Sequence, residues 1–164
     1  MKEENLLIKP VWALVCSSTS TDQNTNQVSI FNVIEEVTIG ISGPRPADVF
    51  KNGVVVPLAN ELIALLQRAD TSTKEIINEC VVDVLDPFGI SIGHVELPVK
   101  IEKDKQRSRI NVKFNGFKVT SSGEYLYKIS VKNKAGKLEE IISVPVQMKL
   151  SEQLAPNQTP KKLA

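Results

Sequence analysis

Gly123-Glu124-Tyr125-Leu126-Tyr127-Lys128-Ile129-Ser130-Val131 decides how this chain folds. Tyr125, Tyr127, Ile129 and Val131 recur at every second residue. Glu124, Lys128, Ser130 and Lys132 fall between them, with Leu126 the one apolar exception. A period of two puts the two sets on opposite faces of a strand. Aromatic and β-branched residues suit a pleated, half-buried surface. The turn signal Ser121-Ser122-Gly123 leads into this strand. Tyr125 is the first inward residue after it, where sandwich domains place a tyrosine whose hydroxyl bonds back to the corner.

The same grammar recurs on both sides. Residues 75–85 carry Ile76, Cys80, Val82 and Val84 on one face. Asp86-Pro87-Phe88-Gly89 fits a type I turn, and residues 90–101 return as the next strand. There the apolar parity changes, from Ile90 and Ile92 to Val95, Leu97, Val99 and Ile101. It changes again between Ile110, Val112, Phe114 and Phe117, Val119. A slip of one residue would turn every side chain over, so a bulge must absorb it, and Gly93 and Gly116 stand at the two changes. The last strand spans about 139–150, with Ile142, Val144, Val146, Met148 and Leu150 inward. Pro145 lacks an amide donor and predicts an edge strand.

Toward the N-terminus the pattern is less regular. Val11-Trp12-Ala13-Leu14-Val15-Cys16 is apolar on both faces, as a central strand is. Residues 17–26 are polar loop by composition. Residues 28–39 read as one strand, with Phe31, Val33, Val37 and Ile39 on one face and a bend or end near Glu35-Glu36. Residues 40–53, with Gly40, Gly43, Pro44, Pro46 and Gly53, form a long connection. In residues 58–69, Leu58, Leu62, Leu65, Leu66 and Ala69 lie on a helical stripe, so local propensity favours a helix.

At 164 residues the chain has the length of one domain with a sizeable core. With 20 Lys+Arg against 19 Asp+Glu it lacks the strongly basic field of a general nucleic-acid binder. No apolar run approaches the ~20 residues of a membrane-spanning helix. The start Met1-Lys2-Glu3-Glu4-Asn5 is unlike a secretory signal, which points to the cytoplasm. In that reducing compartment Cys16 and Cys80 are expected to be buried thiols.

Three groups are candidates for chemistry. His94, the single histidine, lies on the polar face of its strand, away from Val95 and Leu97. It lacks ligands at short spacing, and a zinc set with Cys16 and Cys80 would require both thiols to leave apolar faces. Glu35 and Glu36 point to opposite faces of a strand, whereas Asp83 and Asp86 flank a turn, where aspartate bonds backbone. Arg107, Arg109 and Lys113 share one face of one strand and form the candidate partner-binding face. The competing reading is a solvated outer face that guards a strand edge. No catalytic residue, metal ligand or cofactor-binding residue stands out, and no cofactor is expected.

The strands 11–16 and Gln27-Val28-Ser29-Ile30-Phe31-Asn32-Val33-Ile34-Glu35, with Val82-Asp83-Val84-Leu85-Asp86-Pro87-Phe88-Gly89 and Gly123-Glu124-Tyr125, resemble a family of small bacterial β-sandwich domains of unknown function. The likeness spans about residues 10–150. It implies an all-β sandwich, favours a strand over a helix at 58–69, and brings no activity or site residues with it.

The expectation is an all-β, antiparallel, immunoglobulin-like β-sandwich of about eight strands. Residues 1–9 would be an N-terminal extension, 10–150 the domain, and 151–164 a flexible tail. The expected function is non-enzymatic: a protein-binding or scaffolding module whose partner is another protein, with self-association open and neither membrane nor nucleic acid involved. The alternative is a small-ligand or carbohydrate-binding module, which calls for exposed aromatic rings around a concave face.

Overall fold

The computed structural model describes residues 5–42 and 52–153. These contain nine strands: β1 (Ile8–Thr21), β2 (Val28–Val33), β3 (Glu36–Ser42), β4 (Val54–Arg68), β5 (Ile76–Leu85), β6 (Ser91–Ile101), β7 (Arg107–Val119), β8 (Gly123–Lys132) and β9 (Leu138–Gln153). A four-stranded sheet in the order β2-β1-β4-β7 packs on a five-stranded sheet in the order β3-β9-β8-β5-β6. The sandwich is as expected. The strand count is one higher, and one pair, β3 with β9, is parallel.

The additional strand comes from the break near Glu35. Residues 28–39 divide there, because the chain leaves the first sheet after β2 and enters the second as β3. The Ile34 amide donates to the Val15 carbonyl of β1 (2.8 Å), and the Gln147 amide of β9 donates to the Glu35 carbonyl (2.9 Å). This short link is thus bonded to one strand of each sheet.

Alternating residues build the core. Tyr125, Tyr127, Ile129 and Val131 of β8 face Leu62, Ala64 and Leu66 of β4, Val15 of β1, and Ile110, Val112, Phe117 and Val119 of β7. Leu6 and Ile8 are also core residues, so the N-terminal extension yields its last residues to the fold. At the other terminus β9 continues to Gln153, three residues into the expected tail, and the remainder of that tail lies outside the described residues.

Both parity changes are register shifts. Val84 pairs with Gly93 but Leu85 pairs with Ser91, so Ile92 is extra on β6. Val56 pairs with Phe117 but Ala59 pairs with Asn115, so Pro57 and Leu58 together oppose Gly116. Alternation breaks on β7 at Gly116, whose φ of 149° suits only glycine.

Residues 58–69 are strand, not helix. Their helical stripe arises because β4 is central and apolar on both faces: Leu62, Ala64 and Leu66 face the core, while Ile63 on the outer face is only 1% exposed. That outer face has a roof. β1 pairs with β4 over residues 8–16 and with β2 over residues 16–21. Past Cys16, β1 and β2 form a two-stranded arm. The arm folds back over β4, since Thr19 reaches Glu61 and Asn111, and Asn26 at the tip reaches Arg109 on β7.

Candidate functional site

The three residues of the expected partner-binding face lie together on β7. Arg107, Arg109 and Lys113 stand opposite Gln67, Leu65 and Glu61 on the outer side of β7, an edge strand. Two of the three cations are engaged within the fold. The Arg109 guanidinium donates to the Asn26 side chain (3.0 Å) and carbonyl (3.3 Å). The Lys113 ammonium lies 3.5 Å from the Glu61 carboxylate. These cations hold down the arm.

Glu61 anchors the arm, and sequence reasoning missed it. Its carboxylate accepts hydrogen bonds from the Thr19 hydroxyl (2.7 Å) and the Asn111 amide (3.0 Å). Burial pushes its pKa up, but those two donors and the Lys113 ammonium prevail and hold it below its ordinary 4.5. The one signal was a carboxylate inside an apolar run, Leu58 to Leu66, which needs a partner wherever both strand faces are covered.

His94 is better accompanied than its spacing implied. Nδ1 lies 2.7 Å from Asp83 and Nε2 lies 3.1 Å from Glu96. The Asp83 contact first, then Glu96, raises the imidazole pKa above 6.5. Asp83 stands opposite His94 on β6 and Lys128 on β8, so it is a cross-strand partner, not a turn former. The carboxylates occupy different ring nitrogens, on opposite sides of the imidazole, so they do not converge on one ion. No group of three or more His, Cys, Asp or Glu among the described residues is arranged to hold a metal. Cys16 and Cys80 are free and buried, as expected. Burial pushes the Cys80 thiol up to about 11, which keeps it protonated and unreactive near neutrality.

The turn and corner readings hold. The Gly89 amide donates to the Asp86 carbonyl (2.9 Å), and Asp86 Oδ1 accepts from the amides of Phe88 and Ile90. Asp86 Oδ2 accepts from the Thr120 hydroxyl (2.9 Å), tying this turn to the β7–β8 corner. In that corner the Tyr125 hydroxyl accepts from the amides of Thr120 and Ser121 and donates to the Ser121 carbonyl. Arg68 performs the same service at the other end of β4. Its guanidinium donates to the carbonyls of Lys105 (3.0 Å), Lys74 (2.6 Å) and Ser72.

A cleft of about 430 Å³ opens along the side of the sandwich where β1 and β9 pass each other. Ala13, Leu14, Val15, Val33, Ile34, Val144 and Pro145 line it, with Glu35, Glu124 and Gln147. Val33 is 54% exposed. Pro145 was expected on an edge strand, and this is true of half of β9. Beside β8 on one side, β9 receives β3 on the other only from Gln147 onward. Pro145 falls in the open half, where its missing amide breaks no ladder. Leu126, the apolar exception, lies on the outer face between Leu85 and Pro145 in the adjoining strands.

No known protein-family model matches the chain, and no curated protein matches it. Among solved structures, the crystal structure of the C-terminal domain of Wzt is similar at a TM-score of 0.46 and 8% identity, covering 92% of this chain and 77% of that one. Among the described residues, no helix is long and apolar enough to cross a membrane.

Proposed function

We propose that the protein is a non-enzymatic binding module or scaffold that captures an extended segment of another protein along its β1–β9 side. The observation that carries this reading is a pair of half-open strand edges. β1 pairs with β2 only from Cys16 onward, and β9 with β3 only from Gln147 onward. The chain's own link, Ile34 and Glu35, bonds to both edges where they close, so extended backbone fits there. By the two-residue repeat, the groups of Ala13 two residues before Val15 face the same open side, as do those of Ser143 four residues before Gln147. Strand addition uses such groups for affinity and neighbouring apolar pockets for selection. None of the residues lining the cleft is aromatic, which favours a peptide over a sugar. The two free, buried cysteines suit a cytoplasmic setting.

Site-directed photocrosslinking in the native host tests the reading. A benzophenone side chain at position 33 or 143 should capture the same partner protein, and one at position 100, on the far edge, should not. Equal capture from all three positions, or none from 33 and 143, would overturn it.

A further inference from the structure

Among the described residues, many carboxylates lie against a basic side chain, and several, including Glu102, Asp104 and Glu139, do not. On the strand surfaces, Glu36 pairs with Lys149, Glu75 with Lys100, Glu79 with Lys132, Glu140 with Lys128, and Glu61 with Lys113. Asp83 and Glu96 flank His94, and Asp70 meets Arg68. Of those without such a partner, Glu35 and Glu124 stand at one cleft. Both are exposed, both border the β1–β9 cleft, and neither has a cationic partner among the described residues. With 20 Lys+Arg in a chain of 164 residues, cations are not scarce. Among the described residues, none lines the apolar cleft between the two open strand edges.

Resting on the proposed strand-capturing reading, we infer that the cleft selects a basic partner: an extended segment in which small apolar side chains alternate with Lys or Arg. Alternation follows from strand geometry, because a strand laid against the open edge of β9 turns every second side chain to the inner face, beside Val144, and the others to the outer face, where Pro145 and Glu124 lie. The intervening side chains point outward, toward the rim that carries Glu35 and Glu124. A cation there gains two carboxylates that no internal partner has neutralised. An acidic segment meets the same two charges as repulsion, which discriminates between partners more than it adds raw affinity. Pro145 presents no amide to the open edge, so that edge donates one hydrogen bond fewer to a strand laid against it than an unbroken edge would.

Synthetic nonapeptides that alternate valine with lysine, serine or glutamate, titrated calorimetrically into the full chain, test the inference. The lysine peptide should bind, and at least tenfold more tightly than the glutamate peptide. Glu35→Gln with Glu124→Gln should weaken it about threefold to tenfold, the effect of two exposed charge pairs. Binding should also fall at high salt. Val33→Arg, a change at an exposed position, should abolish it without unfolding the protein. If the serine or glutamate peptide binds as tightly as the lysine peptide and remains sensitive to Val33→Arg, the charge inference falls and strand capture survives. If no peptide binding responds to Val33→Arg, both fall. If the peptide-free chain forms a dimer that Val33→Arg dissolves, the occupant is a second copy and the inference is overturned.

Discussion

Replacing Tyr127 separates the two things this side chain does. It is 1% exposed and sits mid-strand in β8. Its ring meets Phe114 edge-on at 5.7 Å and lies near Phe117 at 6.5 Å. Its hydroxyl donates to Asn60 Oδ1 at 2.8 Å. Tyr127→Phe keeps the ring and removes the donor. Asn60 is 2% exposed, so its oxygen then has no water to turn to. An orphaned buried acceptor costs about 1–3 kcal/mol. Tyr127→Ala also removes the ring and should cost about 3–5 kcal/mol. At this chain length, each 1 kcal/mol lowers Tm by about 2–4 °C. Urea melts followed by circular dichroism, at constant m-value, read both changes. The Asn60→Ala background should shrink the Tyr127→Phe effect, with a coupling of about 0.5–3 kcal/mol. A loss below about 1 kcal/mol for Tyr127→Ala would refute the placement of this ring in the core. A neutral Tyr127→Phe would refute the role of the hydroxyl.

Four further outcomes follow from the same geometry. Arg68→Lys should destabilise nearly as much as Arg68→Met, by about 2–4 kcal/mol in thermal or urea melts, because an ammonium cannot reach three carbonyls on two loops as a planar fork does. Gly123→Ala should cost about 1–3 kcal/mol, since φ is 143° and an added Cβ would lie 2.8 Å from Pro87; melts matching the native chain would show that the corner relaxes freely. Glu61 has a lowered pKa, so its stabilising share is full above pH 4.5 and disappears as pH falls through the lower folded value; Glu61→Gln should flatten that part of the acid-stability curve, and an unchanged curve would show that the arm does not depend on this carboxylate. His94 has a raised pKa, so its share is present below pH 6.5 and lost as pH rises through the higher folded value. Its NMR titration midpoint should move down in Asp83→Asn, and a midpoint that stays put would remove Asp83 as the cause.

Local patterns carried the second half of the fold. From Ile76 to Met148 the strands largely alternate, apart from the changes at Gly93 and Gly116 and the buried Val81, because most have one face on the core and one toward water. The Asp86 turn, the Tyr125 corner and the irregularities at Gly93 and Gly116 were legible for a related reason. Each depends on residues near in sequence, or on a parity change that sequence displays directly.

The first half depended on partners distant in the chain. Whether 58–69 coils or extends was decided by β1 and β7 on its two sides, and by an arm over its outer face that erased the alternation of Ile63. The parallel pairing of β3 with β9 joins residues more than a hundred positions apart, and no local period encodes it. The same holds for the surface. One strand's pattern placed Arg107, Arg109 and Lys113 on a common face, but only folding brought Asn26 and Glu61 to occupy two of them. Glu35 and Glu124 lie far apart in sequence, and they border one cleft because β9 runs beside the sheet-switching link. Side-chain period is a property of one strand, so sequence alone determined which face each residue takes. Strand order is a property of the whole chain, so only the tertiary structure decided which faces meet and which edges remain open.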